Sequence, residues 1–335
     1  MNRRKEDKME NLNQMFEKHP CFHYAMSLCA SWAWGTSMVV GMEIVQTRGI
    51  IPFLIWAIAN SLALPLFGFL SFRIPNFHEV IKSKPVALFQ TGVECFCLWI
   101  QMNAIYQYLV KYGITGDLAG KAIAIAVAVF FLIILSKNGT MRNVFSDQPI
   151  WTICYVGIFA IMTIGFIGGY NTMDIPMLRS GSDISWALYT CIVLFSGPFM
   201  DLQGWVVAEK IKKENRMKAY NYAGILFAVY MGLVLFLSLL EFNRAMSVIM
   251  VLVICCVATS TINDAIVGMQ RIAGRKVGIV LASAGIILWQ IVIPMGVMGL
   301  WLTMGTCRIY VTLGCLVVAL LKYFIPSLKK STKGS

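Results

Sequence analysis

Apolar residues in this chain gather into ten stretches of 17 to 25 residues, separated by short polar connections. They run over 25–46, 50–71, 86–110, 119–135, 150–169, 184–208, 219–240, 245–267, 277–296 and 300–323. Each is close to the ~20 residues a helix needs to cross a ~30 Å hydrocarbon core. The pattern predicts an all-α polytopic membrane protein of ten transmembrane helices. Basic residues alternate between its two faces. Of the 28 lysines and arginines, 22 fall on the N-terminal tail, on every second connection and on the C-terminal end. The six assigned to the opposite face are Arg48, Lys111, Lys121, Arg179, Arg244 and Arg308. Positive charge accumulates in cytoplasmic loops, so both termini are expected in the cytoplasm. Residues 1–24 and 324–335 are then tails around a 25–323 core, in a plasma membrane or a bacterial inner membrane.

Composition narrows the class further. A chain that is 58% hydrophobic and 13% charged, with mean hydropathy +0.72, carries too much apolar surface for one soluble core. The net charge of +12 sits on connections that face anionic lipid, which makes the bilayer rather than nucleic acid the expected partner. The first twenty residues are charged and polar, without the apolar segment of a cleavable signal peptide. Nine of the ten cysteines lie within the apolar stretches and Cys21 just precedes the first, so they read as small buried residues rather than a disulfide framework or metal site. His19, His23 and His78 form no ligand cluster. Asn138-Gly139-Thr140 is a glycosylation sequon placed on the cytoplasmic side. With no nucleophile–base pair or metal-ligand spacing inside the spans, an enzyme is not expected.

Five spans lie in each half, 25–169 and 184–323. An odd number per half makes the second half enter from the opposite side, the geometry of inverted repeats whose sites form at the midplane between halves. The pointer to such a site is a helix interrupted at matching positions. The first span of one half carries the small and polar run Ala30-Ser31-Trp32-Ala33-Trp34-Gly35-Thr36-Ser37, and the first span of the other carries Phe195-Ser196-Gly197-Pro198-Phe199-Met200-Asp201. Glycine and proline weaken a helix there, as a break or as an ordinary kink, the reading that also fits Pro65 and Pro294. Four carboxylates, Glu43, Glu94, Asp201 and Asp264, fall within spans, where each needs a partner, a proton or water. Glu43 is near enough to a span end to reach the interface. Gln90, Glu94, Cys97 and Gln101 share one face of the third span, to line a path or to bond neighbouring helices. Thr259, Ser260 and Thr261 precede Asp264; their hydroxyls can bond their own helix or serve as hard oxygen ligands.

Several pieces resemble the sodium/solute symporters, closest to the urea-type branch. ASWAWGTSMVVGMEIVQTRG at 30–49 is similar to the family's first core helix, and FRIPNFHEVIKSK at 72–84 to its connection between core helices two and three. FSGPFMDLQGWVVAEK at 195–210 resembles the sixth core helix, with Leu202 in place of a glutamine and Gln203 one position later. ATST at 258–261 resembles the hydroxyl-bearing element of helix eight. The resemblance implies a LeuT-type five-plus-five fold and a sodium-coupled symporter of a small polar solute such as urea, with sodium ion as the one cofactor. It implies a sodium site of carbonyls from Ala30, Ala33 and Val257 and hydroxyls of Ser260 and Thr261. It further implies a solute site of Trp34, Thr36, Ser37, Gln101, Phe195, Ser196 and Asp201. Proton coupling through Glu94 or Asp264 is the variant on this reading. The chain is shorter than the family's usual members and its outer connections are brief, which motivates an alternative: a non-transporting scaffold, sensor or exclusion protein on a reduced core. The oligomeric state is left open.

Overall fold

The computed structural model describes residues 20–138, 147–169, 172–201, 205, 208–209 and 211–325. Ten long helices and one short one occur among them, and no β-strand beyond an isolated bridge between Thr172 and Leu240. They are α1 (Pro20–Arg48), α2 (Ile50–Leu70), α3 (Phe77–Ile81), α4 (Lys84–Lys111), α5 (Asp117–Asn138), α6 (Asp147–Gly168), α7 (Ser182–Met200), α8 (Lys213–Ser238), α9 (Arg244–Ala273), α10 (Arg275–Val292) and α11 (Gly296–Phe324). Six stretches are long and apolar enough to cross a membrane: α2, α5 as far as Ile134, α7, α8, α9, and the run Arg275–Phe324 that contains α10 and α11. In α6, Thr152–Gly168 is a shorter apolar helix. Neither α1 nor α4 is in that set. Both carry buried polar residues, Ser27, Thr36 and Ser37 in one and Gln90, Glu94, Gln101 and Asn103 in the other, because they face other helices rather than lipid.

The two expected breaks come out differently. α1 is one helix from Pro20 to Arg48, without the expected interruption at 30–37; small residues there permit close packing without ending the hydrogen-bond ladder. In the sixth span the helix does stop inside the 195–201 run, eight residues before the apolar stretch ends at 208. α7 passes through Gly197 and Pro198 and stops at Met200, after which Asp201 is extended (φ −90°, ψ 112°). Proline at position 198 removes a donor and crowds the preceding turn, and the helix ends within a turn of it.

The helices pack in two blocks. α1, α2, α7 and α8 form one, in which α1 against α8 and α2 against α7 are the broadest contacts; α4, α5, α9 and α10 form the other, around the α4–α9 pair. Between the blocks α1 meets α9 and α4 over smaller areas, and α6 and α11 each touch both. Set in order, α1, α2, α4, α5, α6 and α7, α8, α9, α10, α11 show matched contacts. The α1–α8 pair matches α2–α7, α6–α9 matches α4–α11, and α9–α10 matches α4–α5; α2–α8, α4–α9 and α5–α10 are their own counterparts.

The turn between α1 and α2 is one residue. Gly49 takes φ +101°, and a β-carbon there would lie 2.6 Å from the Pro176 carbonyl oxygen, so only glycine fits. The 172–181 segment lies against this turn. Ile50 and Ile51 N–H donate to the Pro176 and Met177 carbonyls, and Met173 N–H donates to Leu239 O at the end of α8. Arg48 closes the corner with a 2.6 Å ion pair to Asp183 and lies 4.2 Å from the Trp186 ring.

Candidate functional site

A cavity of about 30 Å³ lies where α1, α2, α7 and α11 converge. Its walls are Trp32, Thr36, Ser37 and Val40 of α1, Trp56 and Asn60 of α2, Val193, Leu194 and Gly197 of α7, and Trp301, Gly305 and Arg308 of α11. Three indoles give it flat apolar sides, and glycines at 197 and 305 let the backbones approach. A β-carbon at Gly197 would meet the Trp32 ring at 2.6 Å, and one at Gly305 would meet Val193 at 2.1 Å. The volume holds about two water-sized occupants.

Hydrogen bonding fixes one side of this cavity and leaves the other open. Trp32 Nε1–H donates to Asn60 Oδ1 at 2.6 Å, and Gln101 Nε2 of α4 donates to Thr36 Oγ1 at 2.7 Å. These two bonds orient Asn60 and Gln101 from the neighbouring helix. What remains is three buried atoms without a hydrogen-bond partner among the described residues: the donors Trp56 Nε1 and Asn60 Nδ2, and the acceptor Gln101 Oε1. A buried polar group left unpaired costs roughly 1–3 kcal/mol, so the donors of the two lining residues Trp56 and Asn60 favour an occupant that brings an acceptor; Gln101 stands behind Thr36, outside the lining.

Charge lies beside the cavity on the basic-loop side. Arg308, in the interior of α11, is buried, as are Glu94, Asp201 and Asp264. Glu94 reaches from α4 to α9: a β-carbon at Gly268 would sit 2.7 Å from its Oε1, one helical turn from Asp264. Arg308 Nη1 is 3.8 Å from the corresponding point at Gly197, one turn from Asp201. All three other charges act on Glu94, as does Arg271. Removing such groups from water is costly, and clustering opposite charges reduces that cost. Cys97 of the same α4 face lies against Met304 with its sulfurs 4.0 Å apart. Below the cavity, Phe67, Phe77, Phe199 and Trp205 pack with ring centroids 5.0–6.3 Å apart.

The residues singled out from sequence divide as follows. Thr36 and Ser37 line the cavity and Gln101 supports it. Asp201 is buried one turn beyond the cavity wall, Ser196 turns its hydroxyl to the Val193 carbonyl of its own helix at 2.8 Å, and Phe195 is half-buried outside the lining. The Trp34 side chain lies outside the described residues, as do those of Ala30 and Ala33. Their backbone lies in the unbroken α1, where carbonyls are taken by the helix. Thr261 Oγ1 donates to Val257 O at 3.4 Å and Thr259 Oγ1 to Cys256 O at 2.8 Å, the back-bonded arrangement, while Ser260 is half-buried. α1 and α9 do pack together. Glu43 is half-buried near the end of α1. Among the described residues no group of three His, Cys, Asp or Glu could hold a metal ion. The sequon extends beyond the described residues at Gly139 and Thr140.

Sequence reasoning missed Trp56, Asn60, Trp301 and Arg308. Arg308 needs correcting: the charge count assigned it to the outer face, yet it is a buried cation inside an apolar helix. The signal was present, since an arginine at membrane depth marks function by default.

No family model matches the chain, and no curated protein does. Among solved structures it is similar to the manganese transporter of Eremococcus coleocola, crystallised with an aromatic bis-isothiourea substituted compound. That likeness has 9% identity and a TM-score of 0.46, and covers 91% of this chain and 78% of that one.

Proposed function

We propose that the protein is a secondary transporter that crosses the membrane ten times in two inverted halves and moves a small polar solute by alternating access. The observation that carries this reading is the central cavity, lined by the unsatisfied donors of Trp56 and Asn60 and by Thr36 and Ser37. A planar carbonyl solute of a few heavy atoms, urea among them, complements it: its oxygen accepts from Trp56 and Asn60, and its N–H groups donate to the Thr36 and Ser37 hydroxyls. The matched helix contacts support the two-repeat architecture, and the thin contact between the blocks at α1 supports rocking of one against the other.

Sodium coupling is the part of the proposal that follows from the resemblance, through Ala30, Ala33, Val257, Ser260 and Thr261. Proton coupling has its own support in the Glu94, Asp201 and Asp264 carboxylates beside Arg308. In either case ion and solute raise each other's affinity by one shared factor. The unbroken α1 favours the second reading, a non-transporting membrane scaffold on a reduced core.

The test is radiolabelled urea uptake into proteoliposomes under an inward sodium gradient, an inward proton gradient, or neither. Acceleration by one gradient, abolished by Asn60→Leu, is the expected result and names the coupling ion. Uptake equal to empty liposomes, with no ligand-induced rise in thermal stability from urea or other small amides, would leave the scaffold.

A further inference from the structure

A second cavity, of about 260 Å³, opens on the basic-loop side between α3, the start of α4 and the end of α9. Gln90 is one turn before Glu94 on α4, and about 16 Å of helix separates it from Gln101 at the central cavity. This pocket is therefore a separate place, and its chemistry differs. Two of its lining residues, Gln90 and Arg271, each carry a buried donor without a hydrogen-bond partner among the described residues: Gln90 Nε2, on a residue only 4% exposed, and Arg271 Nη2. Lys82 and His78 complete the basic wall. Both already hold Glu209, with Lys82 Nζ and His78 Nε2 each 2.8 Å from its Oε1. Glu209 is thus an anion of the chain's own, at the exposed side of a pocket whose inner donors are unfilled.

We propose that this pocket binds an oxyanion, a phosphate or carboxylate group, through Arg271 and Gln90. Arg271 presents planar donors matched to such a group, and Gln90 adds a neutral donor beside it. An anion seated there competes with Glu209 for Lys82 and His78, so binding loosens the tie between α3 and the segment that follows α7. The site differs from the solute cavity in place, sign and accessibility, and does not depend on the protein being a transporter.

The experiment is thermal unfolding of the purified full chain in detergent at constant ionic strength. Inorganic phosphate and succinate are titrated against chloride, and a parallel series adds phosphatidylglycerol or phosphatidylcholine. A saturable rise in Tm with phosphate or succinate is expected, its half-point raised roughly ten-fold or more by Arg271→Gln, the loss of one charge-assisted bond, and raised less by Gln90→Leu. Glu209→Gln should lower the half-point, a change that a purely structural residue would not produce. A response to phosphatidylglycerol but to neither free anion would identify the oxyanion as a lipid headgroup. No saturable response to any of the three, or one unchanged in both Arg271→Gln and Gln90→Leu, overturns the proposal.

Discussion

The most informative side chains here are polar ones that the fold buries and then leaves half satisfied. Trp32 and Trp56 sit on facing helices and line one cavity, yet only Trp32 gives its indole N–H a partner, in Asn60. The two tryptophans therefore predict opposite outcomes. Trp32→Phe leaves Asn60 Oδ1 without that donor and should cost roughly 1–3 kcal/mol of stability, read in thermal unfolding of the empty protein. Trp56→Phe removes a donor without a partner among the described residues, so the same measurement should show only the packing cost of a smaller ring at a fully buried site, while on the proposed function the KM for the solute rises several-fold. Equal destabilisation by both would mean that Trp56 serves packing alone. Thr36 and Ser37 were legible in the sequence as hydroxyls in a small-residue run. Asn60 and Trp56 were not, because nothing local distinguishes a cavity-lining Asn or Trp in an apolar helix from one bonded to its neighbour.

Some elements are also tied together at their ends by ion pairs. On the face opposite the basic loops, Arg48 at the end of α1 pairs with Asp183 at the start of α7, with the aspartate side chain 9% exposed and the arginine 33%. A double-mutant cycle on Arg48→Ala and Asp183→Ala should give a coupling energy of about 1 kcal/mol, the upper range for a pair still wetted on one side; zero coupling would make the contact incidental. On the basic face, partial burial works against the Glu209 carboxylate, and hydrogen bonds from Lys82 and His78 outweigh it, holding its pKa below the ordinary glutamate value. A depressed carboxylate pKa stabilises the fold above the unfolded value, ~4.3, and that contribution disappears as pH falls from there through the folded pKa. Acid titration of stability should therefore show a loss below about pH 4.3 that Glu209→Gln lacks. The apolar stretches anticipated where long helices lie, because span length is a local property. They misjudged α1, because a small-residue run is compatible with a continuous helix when neighbouring helices cover it, whereas α7 stops within a turn of Pro198.

At the scale of the molecule, two blocks of helices meet through α1, α9 and α4, and the proposed alternating access requires that meeting to change. The Gln101–Thr36 hydrogen bond spans it at 2.7 Å. With the native cysteines replaced, a Thr36→Cys, Gln101→Cys pair should lose uptake on oxidative cross-linking and regain it on reduction. Full uptake by the cross-linked protein would place the motion elsewhere. Much of this architecture follows from the chain read residue by residue. Stretches near twenty residues must become helices in lipid, since their backbone groups find no partner there except within the segment, and the alternation of basic connections sets an expected orientation. Which polar residues meet is a different matter. In lipid the tails are as apolar as leucine, so hydrophobic patterning does not choose the face a helix turns to its neighbour; close packing and interhelical hydrogen bonds do. Those contacts join α1 to α2 at Trp32–Asn60, α4 to α10 at Asn103–Trp289, and α4 to α1 at Gln101–Thr36. Only the assembled tertiary structure brings Arg308 to the carboxylates and the unsatisfied donors of α2 to one cavity.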